Sequence, residues 1–190
     1  MKNFFSVLYF QCHAMKIDAQ VYWGKRWTNS FLYSILYIIT THGWHIMILF
    51  RLGKIIYAIP IPVLSHVLKA IYRILWFLLS TFYGISINPV SRIGKGFYIG
   101  HFGGVIIRGD FGDYCSVGQG VTVGTKGAGK STVGPKIEDH VYLGAGSKVI
   151  GDINIGSHSI IGANAVVVKS YPECSVLVGI PAKNIKMDSQ

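Results

Sequence analysis

The sequence predicts a parallel β-helix preceded by an α-helical region, and three observations support this. Apolar residues recur at every sixth position between residues 93 and 167, with one interruption. Glycine follows most of these apolar positions, and the first 85 residues lack the period altogether. An α-helix cannot use a six-residue period, because six steps of its 3.6-residue repeat carry a side chain off its own face. Stacked short strands that bury one residue per hexapeptide can use it. The twelve positions expected to form the internal ladder are Ile93, Ile99, Val105, Phe111, Val117, Val123, Ile137, Leu143, Val149, Ile155, Ile161 and Val167.

Charge and glycine divide the chain into two regions. Residues 1–85 carry eight Lys and Arg against one acid, Asp18, whereas residues 86–190 carry ten against seven acids. Four of the 23 glycines precede residue 86. We therefore predict a helical, apolar and basic N-terminal region over 1–85 and a β-helix domain with a C-terminal tail over 86–190. Nucleic-acid binding is a poor explanation of the net charge of +10, because no recognised module or basic cluster accompanies it.

The N-terminal region leaves three interpretations open. Residues 27–50 contain no acid, Lys or Arg and are long enough to cross a bilayer. A span is costly, however, because its middle contains Thr40, Thr41, His42, Gly43 and His45. Residues 63–83 are expected to form a further apolar helix, with Lys69 and Arg73 on a polar stripe. The region is either a helical cap packed on the solenoid and on sister subunits, an in-plane contact with an anionic membrane, or a transmembrane span. The basic residues expected to face the lipid in the second case are Lys25, Arg26, Arg51, Lys54, Lys69 and Arg73.

Eight extra residues interrupt the six-residue count within the segment 125–136. A solenoid tolerates insertions at its corners, and such loops usually carry the binding face. Glycines together with Lys126, Lys130 and Lys136 favour a mobile flap that covers a phosphate-bearing ligand, although a plain solvated loop is the alternative. The Gly-Ala-Gly-Lys-Ser run lacks the spacing and the strand-to-helix context of a phosphate loop, which excludes nucleotide hydrolysis on that ground.

The stretch from residue 85 to residue 183 resembles the hexapeptide acyltransferases, and in particular the serine acetyltransferase-like branch. That branch includes O-acetyltransferases of capsule and exopolysaccharide synthesis. The resemblance implies a left-handed parallel β-helix, a homotrimer with active sites between neighbouring prisms, and acetyl-CoA as co-substrate. The matching motifs are Ile93-Gly94-Lys95-Gly96, Gly100-His101-Phe102-Gly103-Gly104, Val121-Thr122-Val123-Gly124, Pro135-Lys136-Ile137, Leu143-Gly144-Ala145-Gly146 and Ile161-Gly162-Ala163-Asn164.

The resemblance aligns His101 with the catalytic histidine of the family. Acetyl transfer from a thioester to a hydroxyl needs a base that works near neutral pH, so His101 is expected to take the proton of the acceptor hydroxyl. Ser86 stands where serine acetyltransferases have the aspartate that orients this histidine. That role therefore stays open between Ser86, Asn88, a backbone carbonyl and an acid of a neighbouring subunit. Cys115 offers a rival acyl-enzyme route, but a free cysteine is usually inert.

The family pattern places coenzyme A in the groove between prisms. It implies backbone contacts at Gly124, Ala145 and Ala163, where small residues let the pantetheine arm approach the main chain. Lys130 and Lys183 are the candidates for contacts with its phosphates, although each could equally be a solvated surface lysine.

His140 and His158 are eighteen residues apart, which is one full coil of a three-sided prism. We expect their rings to stack about 4.8 Å apart on one face. Solenoid relatives that bind zinc use a third histidine close to such a pair, and this chain supplies none in phase. A solvated ladder or a subunit contact is therefore favoured, and no metal is expected.

The acceptor is predicted from the positions that depart from serine acetyltransferases. Ser86, Gly100 and the pair Val133-Gly134 replace an aspartate, an acid and the Arg-His pair that grips the carboxylate of serine. A charged ligand needs charged complements, so these positions disfavour free serine. We expect instead a sugar hydroxyl in surface polysaccharide biosynthesis (capsule, exopolysaccharide or lipopolysaccharide). This places the enzyme in the cytoplasm, or peripherally on the inner face of the cytoplasmic membrane. The alternatives are serine O-acetyltransferase of cysteine biosynthesis and a non-catalytic solenoid scaffold at the membrane.

Overall fold

The computed structural model describes residues 2–24, 40–127 and 133–186, and these form three helices followed by a left-handed parallel β-helix. The predicted fold class is confirmed. The helices are α1 (Lys2–Trp23), α2 (His42–Ala58) and α3 (Pro62–Tyr83). The strands are β1 (Ile85–Ile87), β2 (Tyr98–Ile99), β3 (Val105–Ile107), β4 (Asp110–Phe111), β5 (Ser116–Val117), β6 (Thr122–Gly124), β7 (Lys136–Ile137), β8 (Tyr142–Leu143), β9 (Lys148–Ile150), β10 (Asn154–Ile155), β11 (Ile160–Ile161), β12 (Val166–Val167), β13 (Val176–Gly179) and β14 (Ala182–Asn184).

The strands build a prism with three parallel faces. The first face contains β1, β3, β6, β9 and β12, the second contains β4, β7 and β10, and the third contains β2, β5, β8, β11, β13 and β14. The chain visits the faces in this order, coil after coil, and only the last pair, β13 and β14, is antiparallel. The predicted division between residues 85 and 86 falls inside β1.

All twelve residues of the predicted ladder are buried in one apolar core. Buried aliphatics of neighbouring coils lie in register, as Val117 does with Leu143. The six-residue count differs from the observed register in one place. Ile107, and not Val105, pairs with Val123, and Ile107 also pairs with Ile87. Val105 is buried as well. The coil from Ile87 to Ile107 is therefore longer than eighteen residues and the next one is shorter. The extra length lies in residues 101–104, which carry the candidate catalytic histidine.

The helices pack on the first coils of the prism. α1 and α3 both contact α2, and α1 and α2 contact β2. The expectation that Arg51 and Lys54 face a lipid surface is wrong. Arg51 is fully buried against Asp18, and Lys54 donates to the carbonyl of Pro89 at 2.6 Å. Lys25, Arg26 and most of the stretch 27–50, up to residue 39, lie outside the described residues.

Candidate functional site

His101 lies on a short loop between β2 and β3, and its side chain is exposed. The backbone N–H of Gly103 donates to the carbonyl of Tyr83 at 2.8 Å, and that of Val105 donates to the carbonyl of Gly84 at 3.1 Å. Gly103 and the residue after it have φ values of 93° and 74°, a region that favours glycine. The loop is therefore held against the C-terminal end of α3, which fixes the position of the histidine.

An aromatic cluster borders this loop. The ring of His42 lies 4.9 Å from that of Tyr83 and 4.7 Å from that of Phe102, measured between centroids. His45 Nδ1 lies 2.9 Å from the hydroxyl oxygen of Tyr83. The sequence did not indicate this cluster, because α2 had to be placed before His42 could be brought to a loop almost sixty residues away.

Neither of the two proposed orienting residues forms a hydrogen bond with the side chain of His101 in the structure. Ser86 lies on the outer side of β1, and the Asn88 side chain accepts a hydrogen bond from the N–H of Val90 at 2.9 Å. Among residues 2–24, 40–127 and 133–186, the imidazole of His101 has no hydrogen-bond partner. The orienting role of Ser86 or Asn88 stays a prediction.

Equivalent positions of successive coils, which are Gly103, Gln119, Ala145 and Ala163, line up beside His101 along one edge of the prism, between the third and first faces. We call this the histidine edge, and it consists of His101, Gln119, Ala145 and Ala163. Backbone hydrogen bonds link the coils here, from Gly146 N to Gln119 O at 2.7 Å and from Asn164 N to Ala145 O at 2.9 Å. Ala145 and Ala163 are both exposed. The two predicted coenzyme contacts therefore lie on the same edge as the histidine, and their short side chains leave the main chain accessible.

Close stacking of the coils along this edge depends on glycine. A Cβ atom added to Gly144 would lie 2.7 Å from the backbone nitrogen of Ala163. No ordinary side chain fits at that distance, so the glycine after the ladder residue keeps the coils close together.

The other predicted coenzyme residues lie elsewhere. Gly124 ends β6 at the edge between the first and second faces, and a Cβ atom there would meet nothing within 4 Å. Lys183 is exposed on β14. Lys130 lies outside the described residues, as do residues 128–132 of the inserted segment. Within one subunit, Gly124 and Ala145 therefore belong to different edges.

A cleft of about 590 Å³ opens at the edge that Gly124 marks. Arg92 and Asp110 form an exposed ion pair there, in which Arg92 Nε donates to Asp110 Oδ2 at 2.8 Å. Burial alone would raise the pKa of Asp110, but its hydrogen bonds and charge interaction with Arg92 lower it. The guanidinium of Arg108, in contrast, has no ion-pair partner within the described ranges. We call this the arginine cleft, and its lining residues are Asn88, Val90, Ser91, Arg92, Arg108, Gly109, Asp110, Val133 and Gly134.

Sequence reasoning missed the arginine cleft. Arg92 and Asp110 are eighteen residues apart, one full coil, and that spacing is visible in the sequence. Arg108 could not be placed in this way, because it directly follows β3, and the coil that contains β3 is not eighteen residues long.

His140 and His158 stack as predicted, with ring centroids 4.8 Å apart and an angle of 5° between the rings. Tyr114 extends the stack, 5.1 Å from His140. Over the described parts of the chain there is no group of three or more His, Cys, Asp or Glu that could hold a metal ion.

Cys115 is fully buried in the core of the prism, and burial raises the pKa of its thiol to about 12. Its sulfur lies 2.9 Å from the carbonyl oxygen of Glu138. A thiol that stays protonated at neutral pH is a poor nucleophile. The acyl-enzyme route through Cys115 is thus disfavoured by its environment as well as by its sequence context.

Comparisons with known proteins agree with the fold and the repeat. The model of the bacterial transferase hexapeptide (six repeats) matches residues 134–169. A serine acetyltransferase of Synechococcus elongatus is 35% identical over 145 residues, which cover 75% of this chain and 57% of that relative. The chain thus spans little more than half the length of this curated relative.

Two solved structures are similar over most of the chain. A serine acetyltransferase from Neisseria gonorrhoeae in complex with serine has a TM-score of 0.72 and 29% identity, covering 91% of this chain and 68% of that one. A serine acetyltransferase from Brucella abortus in complex with coenzyme A has a TM-score of 0.73 and 26% identity, covering 97% of this chain and 71% of that one.

These matches contradict the prediction of a surface-polysaccharide acetyltransferase, because the relatives are serine acetyltransferases. The prediction rested on charged residues missing at four positions, among them Val133 and Gly134. The structure places Arg92, Arg108 and Asp110 in the same cleft as those two residues, so the local charge is not lost. The repeat, the fold and the relatives agree, and the chain is similar to the hexapeptide-repeat acyltransferases.

Proposed function

We propose that this chain is an acetyl-CoA-dependent serine O-acetyltransferase. The observation that carries the proposal is the position of His101. Its exposed imidazole lies on a loop held by hydrogen bonds to α3, at the N-terminal end of the histidine edge, where Ala145 and Ala163 leave the main chain accessible. The similarity to serine acetyltransferases, one of them in complex with serine and one with coenzyme A, supports both substrates.

His101 acts as the general base. Its imidazole takes the proton of the serine hydroxyl while the hydroxyl oxygen attacks the acetyl carbonyl of acetyl-CoA. The new C–O bond gives a tetrahedral intermediate, the C–S bond breaks when this intermediate collapses, and the imidazolium returns its proton to the leaving thiolate. Backbone N–H groups are suited to stabilise the oxyanion of the tetrahedral intermediate. Coenzyme A lies along the histidine edge, where Ala145 and Ala163 leave room for the pantetheine arm.

The acceptor is held by the arginine cleft of a neighbouring subunit. Serine carries a carboxylate and an ammonium group, and the cleft contains both signs of charge, with Arg108 free to pair with a carboxylate. Within one prism the cleft and the histidine edge lie on different edges, so one subunit does not complete the site. A homotrimer that places the histidine edge of one prism against the cleft of the next brings the base, the coenzyme groove and the acceptor together.

The test measures thiol release from acetyl-CoA by the purified chain, with L-serine and with a panel of sugars. We expect release that depends on serine and is lost in His101→Ala, while acetyl-CoA still binds. His140→Ala removes an exposed histidine away from the site and should leave the rate unchanged. Release that depends on a sugar and not on serine would overturn the acceptor. No release with any acceptor, together with no binding of acetyl-CoA, would leave a non-catalytic scaffold as the better description.

A further inference from the structure

Helix α3 presents a broad apolar face to solvent. Among the described residues it is the one helix long and apolar enough to span a membrane by length and composition, and little of it is buried. Ser65 and Tyr72 are its buried residues, so a narrow stripe packs on the rest of the protein. The apolar face of α3 consists of Val63, Leu64, Val67, Ile71, Ile74, Leu75, Phe77, Leu78 and Phe82, all exposed. Apolar surface of this extent marks an interaction site.

Basic side chains lie along one border of this face. Lys69 places its Nζ 5.1 Å from the ring centroid of Tyr57, and Arg73 Nε donates to the Tyr57 hydroxyl at 3.2 Å. Both positive charges are therefore held beside the apolar face. No Asp or Glu occurs between residues 40 and 85, so this border has no acidic neighbour from α2 or α3.

We propose that the apolar face of α3 lies in the plane of an anionic lipid bilayer. The apolar side chains enter the boundary between headgroups and acyl chains, and Lys69 and Arg73 contact anionic headgroups. A spanning orientation is disfavoured because both charges lie in the middle of the helix, at the depth of the hydrocarbon core. In a spanning orientation, the buried residues Ser65 and Tyr72 would also lose their packing on the rest of the helical region.

A second copy of the chain fits this face less well. Two copies that pair their apolar faces would bring four positive charges close together, with no acid of residues 40–85 to neutralise them. Like charges at such a contact oppose association. An anionic bilayer offers both an apolar interior and negative charge, which matches the face and its border.

The bilayer contact also has a consequence for the catalytic loop. The carbonyl groups of Tyr83 and Gly84, at the end of α3, accept the hydrogen bonds that hold residues 101–104. A helix fixed at a membrane surface would therefore hold the His101 loop close to that surface.

The experiment is flotation of the purified full chain with vesicles, either of phosphatidylcholine alone or of phosphatidylcholine mixed with phosphatidylglycerol. We expect the chain to float with the mixed vesicles, to float less with the neutral ones, and to be released by high salt. Ile71→Glu and Ile74→Glu should each reduce binding to mixed vesicles about tenfold or more, because a charge enters the lipid-facing surface. Ile185→Glu makes the same change at a similarly exposed position (57% against 51% for Ile71) away from α3, and should float like the parent chain.

Two controls keep the result interpretable. Circular dichroism and thermal melting of each variant show that it is folded, and thiol release from acetyl-CoA is measured separately, so failure of the catalytic proposal would not affect this one. A parent chain that stays unbound with both kinds of vesicle overturns the proposal. A change in oligomeric state of Ile71→Glu in sedimentation, without lipid binding by the parent, would assign the face to a contact between copies instead.

Discussion

Arg51 and Asp18 form an ion pair in which both side chains are fully buried, with Arg51 Nε and Asp18 Oδ2 3.0 Å apart. Arg51 also donates to the carbonyl of Ile93 at 2.7 Å, and Asp18 accepts from the N–H of Gly96 at 2.6 Å. The pair therefore joins α1 and α2 to the first coil of the prism. It satisfies backbone groups at the open end of the β-helix, where no further coil could do so.

Replacing Arg51 by methionine should strongly destabilise the protein. The change leaves Asp18 buried without its counter-charge, which costs about 3–5 kcal/mol of unfolding free energy at neutral pH. Burial already raises the pKa of Asp18, although the charge and hydrogen bonds of Arg51 oppose this. Without Arg51 that pKa rises further, so the folded state holds the proton more tightly than the unfolded state. The loss of unfolding free energy is then complete at pH values above the pKa of Asp18 in the folded state. It becomes smaller as the pH falls towards the pKa of Asp18 in the unfolded state.

Urea unfolding of Arg51→Met and the parent chain, at neutral and at mildly acidic pH, measures this loss. The double variant Asp18→Leu with Arg51→Met removes both charges and should recover part of the stability. An equal loss at both pH values would contradict the role given to the Asp18 carboxyl.

Truncating a ladder residue should cost far more than truncating its neighbour on the outer surface. Ile161 is fully buried and Ile160 is 47% exposed, so the two offer a matched pair on one strand. We expect Ile161→Ala to lower the unfolding free energy by about 2–5 kcal/mol. Ile160→Ala should lower it by about 0.5 kcal/mol or less. Chemical denaturation measures both, and similar losses would mean that the β11 side chains do not alternate between core and surface.

The β-helix could be predicted because the residues that it buries recur at a fixed short spacing in the sequence. Each ladder residue is buried by the coil above and the coil below, so a six-residue period in the sequence is a direct record of burial. The stack of His140 on His158 followed from the same count. The deviation at Val105 and Ile107 did not, because a lengthened loop followed by a shortened one restores the period.

The placement of charges could not be predicted in the same way. The sequence favours a lipid-facing Arg51, because nothing in it shows that α1 brings Asp18 to this side chain. The arginine cleft could not be predicted because its lining residues come from three separate segments, 88–92, 108–110 and 133–134. The last of these lies within the inserted segment, so its distance in sequence does not reveal its place in the fold. The residues at positions 86, 100, 133 and 134 do not by themselves set the charge of the site, because that charge depends on all side chains that reach it.

The cysteines should differ sharply in reactivity. Cys12 is exposed on α1, whereas Cys115 is buried and its thiol has a pKa of about 12. Iodoacetamide followed by mass spectrometry should therefore label Cys12 in the native protein and label Cys115 only after unfolding. A Cys115→Ala variant should retain acetyl transfer, because no step of the proposed mechanism uses this thiol. Native labelling of Cys115 at the rate of Cys12 would contradict its burial.

Arg108 should determine affinity for the acceptor and not for the coenzyme. Its guanidinium is unpaired within the described residues and lines the arginine cleft, so it can bind the carboxylate of serine with a charge-assisted hydrogen bond. Loss of such a bond is worth about 1.5–3 kcal/mol, which corresponds to roughly a tenfold to hundredfold rise in the KM for L-serine in Arg108→Ala. The KM for acetyl-CoA should not change.

Steady-state kinetics with each substrate varied in turn make this measurement, and two further variants sharpen it. Arg108→Lys keeps the charge but loses the planar fork, so it should retain part of the affinity for serine. Arg92→Ala removes a guanidinium that is already paired with Asp110, and its effect on the KM for serine should be smaller. A rise in the KM for acetyl-CoA alone would place Arg108 beside the coenzyme. If both KM values stay unchanged in Arg108→Ala, the arginine cleft does not hold the acceptor carboxylate.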